Sequence, residues 1–313
     1  MRKRYENMDQ VNNTTSMKDM IQWRKERKAK VKDLSFVIPR CERVELDLLH
    51  SNQAETTITW IGHSTFFIQI GGLNIVTDPV WANRMGFERR LAPPGIPLKD
   101  LPPVDVVLIS HSHYDHLDYP TLRKLNGNPR YLVPEGLKRS FRKKGFEPTE
   151  EYGWWDSTAV GGVEFYFVPA QHWTKRTLTD TNRSWWGGWI IRHHGECIYF
   201  AGDSGYFRGF KEIGSRFDID IALIPIGAYE PEWFMKMQHV SPEEAVQAYI
   251  DTGARMFIPM HYGAFRLADD TPKEALDRLK AAWKQENLEP KELKILEHGE
   301  TLCTQNGKTI AEN

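Results

Sequence analysis

Apolar and polar positions change rhythm along this chain at about residue 56, where short runs rich in Val, Ile, Phe and Trp begin to recur between turn residues. The first runs predict strands over 57–60, 66–70 and 73–77, the last two joined through Gly71-Gly72 as a hairpin turn. A loop rich in Pro and Arg occupies 79–103. Core-type runs follow at 104–110, 131–133, 163–168, 197–201, 221–226 and 256–259, bounded by Gly, Pro or Asp as buried strands are. Helices are marked by their starts. Ser241-Pro242-Glu243-Glu244 supplies a serine cap, a proline at the first helical position and a glutamate to close a capping box, and Thr271-Pro272-Lys273-Glu274 repeats the pattern. A further helix is expected after Pro120, with Leu122 and Leu125 facing inward. Strands interleaved with helices give an α/β fold in one domain over 51–313, preceded by an N-terminal extension over 1–50 that is partly helical and basic.

Between Lys18 and Lys32 that extension carries seven basic and two acidic residues, beside Met17, Met20, Ile21 and Trp23. Two readings stand: a basic helix touching an anionic surface, or a solvated helix whose apolar residues pack on the domain. Over the whole chain 41 basic and 42 acidic side chains leave a net charge of −1, so no overall field draws nucleic acid, and none is expected as a partner. The basic start lacks an apolar stretch behind it, and the longest greasy run, 221–228, is too short to span a bilayer. Cys41, Cys197 and Cys303 are too few and too scattered for a disulfide framework or a cysteine zinc site, which suits a reducing cytoplasm, with peripheral membrane contact as an addition.

The chemistry concentrates in His111-Ser112-His113-Tyr114-Asp115-His116, directly after the run 104–110. In extended or turning backbone His111 and His113 project to one side and can grip one ion, while Asp115 and His116 turn toward a second. Two ions need more ligands, and the ends of other apolar runs provide them: His172 after 163–170, Asp203 after 197–201, His261 after 256–260. The assignment is His111, His113 and His172 on one ion, Asp115, His116 and His261 on the other, and Asp203 between them. Five imidazoles, two carboxylates and no cysteine favour two Zn²⁺ ions, with iron or manganese as alternatives. Such a pair lowers the pKa of water from 15.7 to about 7 and polarises the group attacked, which is hydrolase chemistry. His63 sits on a turn and is read as supporting the ligands or the fold; His50, His193, His194 and His298 show no partner pattern.

The stretch from His111 to His116 resembles the signature of the metallo-β-lactamase superfamily, which implies an αββα sandwich and a two-metal site. Further text, from Gln171-His172-Trp173-Thr174-Lys175-Arg176 through Ala201-Gly202-Asp203-Ser204-Gly205-Tyr206 to Gln238-His239-Val240-Ser241-Pro242, is similar to the N-acylphosphatidylethanolamine-hydrolysing phospholipase D family. The likeness runs in order from about Thr57 to Glu300. It implies that the seven ligands carry over, that Gln238 and His239 form an active-site pair beside Asp115, and that the reaction cleaves a phosphodiester to phosphatidic acid and an N-acylethanolamine. The expected partner is a phospholipid or another small-molecule substrate, and a homodimer is left open as an assembly. A hydrolase of the same fold acting on a soluble lactone or small phosphodiester is the alternative; a di-iron redox protein and a non-catalytic metal protein are weaker ones.

Overall fold

The computed structural model describes residues 3–11, 16–305 and 308–309. Alternation within the apolar runs sorts their side chains onto two faces: Ile58, Trp60, Phe66, Ile68, Ile75 and Leu108 join Phe165, Phe167 and Trp189 in one large core, while Phe67, Val76 and Val107 enter a second core. The first core lies where two sheets face each other. One sheet contains β1 (Thr56–Gly62), β2 (Thr65–Ile70), β3 (Leu73–Thr77), and, beyond a small hairpin of β4 (Arg84–Met85) and β5 (Glu88–Arg89), β6 (Val104–Leu108), β7 (Gly127–Pro134) and β8 (Thr149–Tyr152). The other contains β9 (Ser157–Val160), β10 (Val163–Val168), β11 (Gly188–His193), β12 (Glu196–Phe200), β13 (Ile221–Pro225) and β14 (Met256–Met260); β15 (Thr301–Gln305) and β16 (Lys308–Thr309) return to the first, beside β1. The orders are β16-β15-β1-β2-β3-β6-β7-β8 and β14-β13-β12-β11-β10-β9.

Among the helices, α1 (Met17–Ala29) and α2 (Leu46–Ser51) precede β1, while α3 (Tyr119–Leu122) and α4 (Lys138–Lys143) flank β7. Leu49, Leu122 and Phe141 cover the outer face of the first sheet. The second sheet is backed by α5 (Gly209–Arg216), α7 (Pro242–Thr252) and α8 (Pro272–Gln285), with the one-turn α6 (Glu232–Met235) just before α7. The result is the αββα sandwich expected from sequence.

Both expected caps form: Ser241 Oγ accepts from Glu244 N at 3.2 Å while the Glu244 carboxylate accepts from Ser241 N, and Thr271 Oγ1 accepts from Glu274 N at 3.1 Å. Several boundaries differ from the sequence reading, and three have a plain local cause or content. β6 stops at Leu108 because the Ser110 main chain turns to donate to Asp78 Oδ1 at 2.7 Å. The helix after Pro120 is a single turn, capped by Asp118 and ended before Gly127, where β7 begins. The loop over 79–103 contains the β4–β5 hairpin.

The change of composition near residue 50 marks no break in packing. Ile38 lies in the main core, Leu49 in the second, and the main chain of 39–41 exchanges hydrogen bonds with His298. On α1, Trp23 stacks on Phe234 with ring centroids 5.1 Å apart and donates to Asp269, and Arg27 pairs with Glu88. Just beyond, Lys32 bridges Glu230 and Glu274. One face of the basic helix therefore packs on the domain, while Met17 and Ile21 stay exposed. No helix among the described residues is long and apolar enough to cross a membrane.

Candidate metal centre

β1, β3, β6, β10, β12 and β14 run in the same sense within their sheets, so the residues following them collect at one rim of the sandwich. His111, His172, Asp203 and His261 arrive there as the strand ends predict. His111 Nε2 and His172 Nε2 lie 2.9 and 3.1 Å from His113 Nδ1. These spacings come close to the roughly 3.3 Å edge of a tetrahedron built on zinc–nitrogen bonds of about 2.0–2.1 Å. A second nest holds Asp115, His116 and His261: Asp115 Oδ2 is 3.3 Å from His116 Nε2 and 3.4 Å from His261 Nε2. Asp203 Oδ2 stands between the nests, 3.0 and 3.2 Å from His116 and His261 and 3.9 Å from His111 and His172.

Asp203 Oδ1 is buried with no hydrogen-bond partner, and the buried Nε2 atoms of His116 and His261 make no well-aligned hydrogen bond, although carboxylate oxygens crowd them at 3.0–3.4 Å. Such atoms are costly unless something satisfies them, and a cation does. The electrostatics agree. Burial would raise the carboxyls of Asp203 and Asp115, but the imidazoles around them, His116 foremost, outweigh it and hold both well below the carboxylate range. Against burial, the same carboxylates raise His116 well above its ordinary value and push His261 up to about 9, positive charge that a bound cation would replace. In the other nest burial, then neighbouring imidazoles, hold His111 and His172 far below their ordinary value, and burial takes His113 down to about 4. One nest is thus neutral nitrogen, the other carboxylate-rich with positive charge called in, and the donor set fits two divalent ions without a cysteine.

Outer contacts aim the ligands. His172 Nδ1 donates to the Gln238 carbonyl at 2.9 Å, His116 Nδ1 to Asp78 Oδ2 at 2.7 Å, and His111 Nδ1 to Ser110 Oγ at 2.9 Å, leaving all three Nε2 lone pairs toward the centre. Arg176 Nη1 donates to the carbonyls of Ser112 and Leu117 at 2.7 and 2.8 Å and so braces the turn that carries His113 to His116. His63, Asp78 and His261 adopt positive φ of 57°, 34° and 61°, conformations that cost non-glycine residues of order 1 kcal/mol or more and cluster at functional sites. Gly202 is required beside Asp203, since a Cβ there would come within 2.7 Å of Ser110 Cβ.

Asp78 was not singled out by sequence, whereas His63, read there as supporting the ligands or the fold, does touch a candidate ligand. Asp78 is fully buried; His63 Nε2 donates to Asp115 Oδ2 at 2.9 Å and its ring lies 4.1 Å from that of His261. The available signals were the acid after the run 73–77 and the histidine after Gly62, each a single polar residue at a strand end. His239 reaches the cavity side of the centre, its Nδ1 3.9 Å from Asp203 Oδ2 and its ring stacked near His261. Burial pushes it down to about 4, so it is a neutral imidazole. Gln238 is placed differently. Its side-chain amide turns toward the Phe234 carbonyl and Met235 Sδ, both 3.4 Å away, and its main chain is what meets His172. His50, His193, His194 and His298 all lie outside both nests.

A cavity of about 520 Å³ opens over the centre, floored by Asp115, Asp203, His239 and His261 and walled by Trp173, Leu178, Met235 and Leu267. Lys175 and Arg176 stand at the same wall.

The profile of a beta-lactamase superfamily domain matches residues 73–262. The chain is 38% identical over 226 residues to N-acyl-phosphatidylethanolamine-hydrolyzing phospholipase D 1 of Caenorhabditis elegans, a match covering 66% of this chain and 64% of that protein, so it spans less than two thirds of that relative. It is 30% identical to a UPF0173 metal-dependent hydrolase of Pyrobaculum neutrophilum over 72% of this chain and 92% of the other. Among solved structures, Igni18, a metallo hydrolase from Ignicoccus hospitalis, superposes with a TM-score of 0.62 at 23% identity, covering 80% of this chain and 99% of that one.

Proposed function

The chain belongs to the beta-lactamase superfamily, and from that premise we propose that it is a zinc-dependent phosphodiesterase that hydrolyses N-acylphosphatidylethanolamine-like phospholipids to phosphatidic acid and an N-acylethanolamine. The observation that carries the reading is the union of a two-nest ligand set with a cavity whose walls are apolar and whose rim is cationic. His111, His113 and His172 would hold one ion, Asp115, His116 and His261 the other, and Asp203 would contribute to both. When bound, the pair supplies Lewis acidity, bringing the pKa of water toward 7 and drawing charge from the group attacked. The chain does the rest. Trp173, Leu178, Met235 and Leu267 take up acyl chain and exclude water, while Lys175 at the wall offers positive charge to a phosphate. His239, neutral and without a partner at Nδ1, presents an N–H to a phosphoryl oxygen or to the departing alkoxide. Asp115 and Asp203 hold the charge balance beneath it, and Gln238 acts through its carbonyl by fixing His172.

The composition of the rim supports substrate delivery from a bilayer. Leu178, Met17 and Ile21 are 92%, 76% and 62% exposed. Met17 and Ile21 line a second groove that shares Trp173 and Lys175 with the catalytic cavity and adds Arg24. Apolar side chains beside basic ones at a cavity mouth suit an anionic lipid surface, each cation contributing about 1 kcal/mol there.

The test is product identification by mass spectrometry after incubating zinc-loaded protein with vesicles containing N-acylphosphatidylethanolamine and, separately, with lactones and soluble phosphodiesters. Release of N-acylethanolamine with phosphatidic acid is expected. Turnover of the soluble compounds alone would instead establish a small-molecule hydrolase.

A further inference from the structure

Asn7 lies 165 residues before His172 in sequence, yet its side chain is bonded to both main-chain groups of that ligand. Its Oδ1 accepts from His172 N–H at 3.0 Å and from Trp186 Nε1–H at 2.9 Å; its Nδ2 donates to the carbonyls of His172 at 3.0 Å and Val11 at 3.2 Å. Two acceptor and two donor contacts fill the capacity of a primary amide and leave it one orientation. Asn7 is buried, as are His172 and Trp186. β10 has already ended at Val168, so this amide acts where the sheet ladder no longer holds the ligand-bearing backbone.

The segment carrying Asn7 is fastened on both sides. Lys3 pairs with Glu135 at 3.0 Å, Tyr5 N–H donates to the Asn182 carbonyl at 2.9 Å, and the Tyr5 ring packs on Trp185 with centroids 4.6 Å apart. Asp9 pairs with Arg208 at 2.8 Å. These contacts fasten Asn7, which lies outside the stretch 73–262 that matches the superfamily profile, onto residues within that stretch.

We infer that Asn7 is a positioning residue for the metal centre: the N-terminal segment folds back to clamp the main chain of His172, setting the third nitrogen of the three-histidine nest. The inference rests on the metal reading given above. Replacing an outer contact to a metal ligand weakens affinity about 10–100-fold. In full-length protein titrated with Zn²⁺ against a chromophoric chelator, Asn7→Ala is expected to weaken one of two equivalents by that factor and leave the other unchanged, with a matching change in the d–d spectrum of the Co²⁺ form. Tyr5→Ala, which loosens the segment but keeps the amide, is expected to lower Tm with a smaller effect on zinc.

Asn7→Asp guards against a variant that fails to fold and reverses the sign of a mere charge effect. Its second oxygen faces the His172 carbonyl, so the clamp predicts weaker zinc binding, whereas added negative charge alone would strengthen it. Asn7→Ala binding both equivalents as the unaltered chain does, or Asn7→Asp binding them more tightly, overturns the inference. Failure of the unaltered chain to bind any Zn²⁺ would overturn the metal reading itself.

Discussion

His239 faces the cavity from outside the two nests; its Nδ1 groups with His172 and Asp203, but each of those already serves a nest. Its removal therefore separates turnover from metal binding. His239→Ala is expected to keep two zinc ions by elemental analysis while kcat falls by roughly 10²–10⁴, the range for a positioned acid or base; an unchanged kcat would remove the role. His63 should behave in the opposite way, because it touches Asp115 and not the cavity mouth. His63→Ala is expected to weaken the zinc site containing Asp115 by about 10–100-fold in a chelator competition, and equal affinity would show that Asp115 keeps its aim without that donor. That the seven candidate ligands converge was legible because they follow apolar runs, where a polar residue has no packing role to explain it. Asp78 and Asn7 were not: each is one polar residue in ordinary surroundings, and its importance comes from a partner brought close only by the fold.

Helix α7 starts two residues after Val240, so its cap fixes the chain leaving His239. Ser241→Ala removes the acceptor for Glu244 N and should cost about 1 kcal/mol, read as a Tm lowered by a few degrees. On β12, burial pushes the Cys197 thiol up to about 12, so it stays protonated through neutral and mildly alkaline pH. Iodoacetamide at pH 8 is expected to spare Cys197 in the folded protein and to modify it after denaturation; peptide mapping decides, and native labelling at Cys197 would mean that β12 opens readily. Helices α7 and α8 and most buried strands were readable because their signals are local, although the buried β11, with Trp189-Ile190-Ile191, was passed over. β8 and β15, with the sequences Thr-Glu-Glu-Tyr and Thr-Leu-Cys-Thr-Gln, were passed over, since pairing with β7 and with β1 and β16 makes them strands, not an apolar run of their own.

For the whole molecule, the rim reading makes membrane contact separable from chemistry. A double substitution Ile21→Glu and Leu178→Glu should abolish co-sedimentation with anionic vesicles while hydrolysis of a short-chain soluble analogue continues; retained sedimentation would place the contact elsewhere. A different consequence follows from where the ligands originate. His111, His113, Asp115 and His116 hang from the first sheet, His172, Asp203 and His261 from the second. Any ion held jointly by the two groups rivets one half of the sandwich to the other, and free zinc at 1,000 times its Kd would add about 4 kcal/mol against unfolding. Starvation for the metal would pull that rivet, so protease lifetime, and through it the amount of protein in a cell, should rise and fall with zinc supply even where no substrate is present.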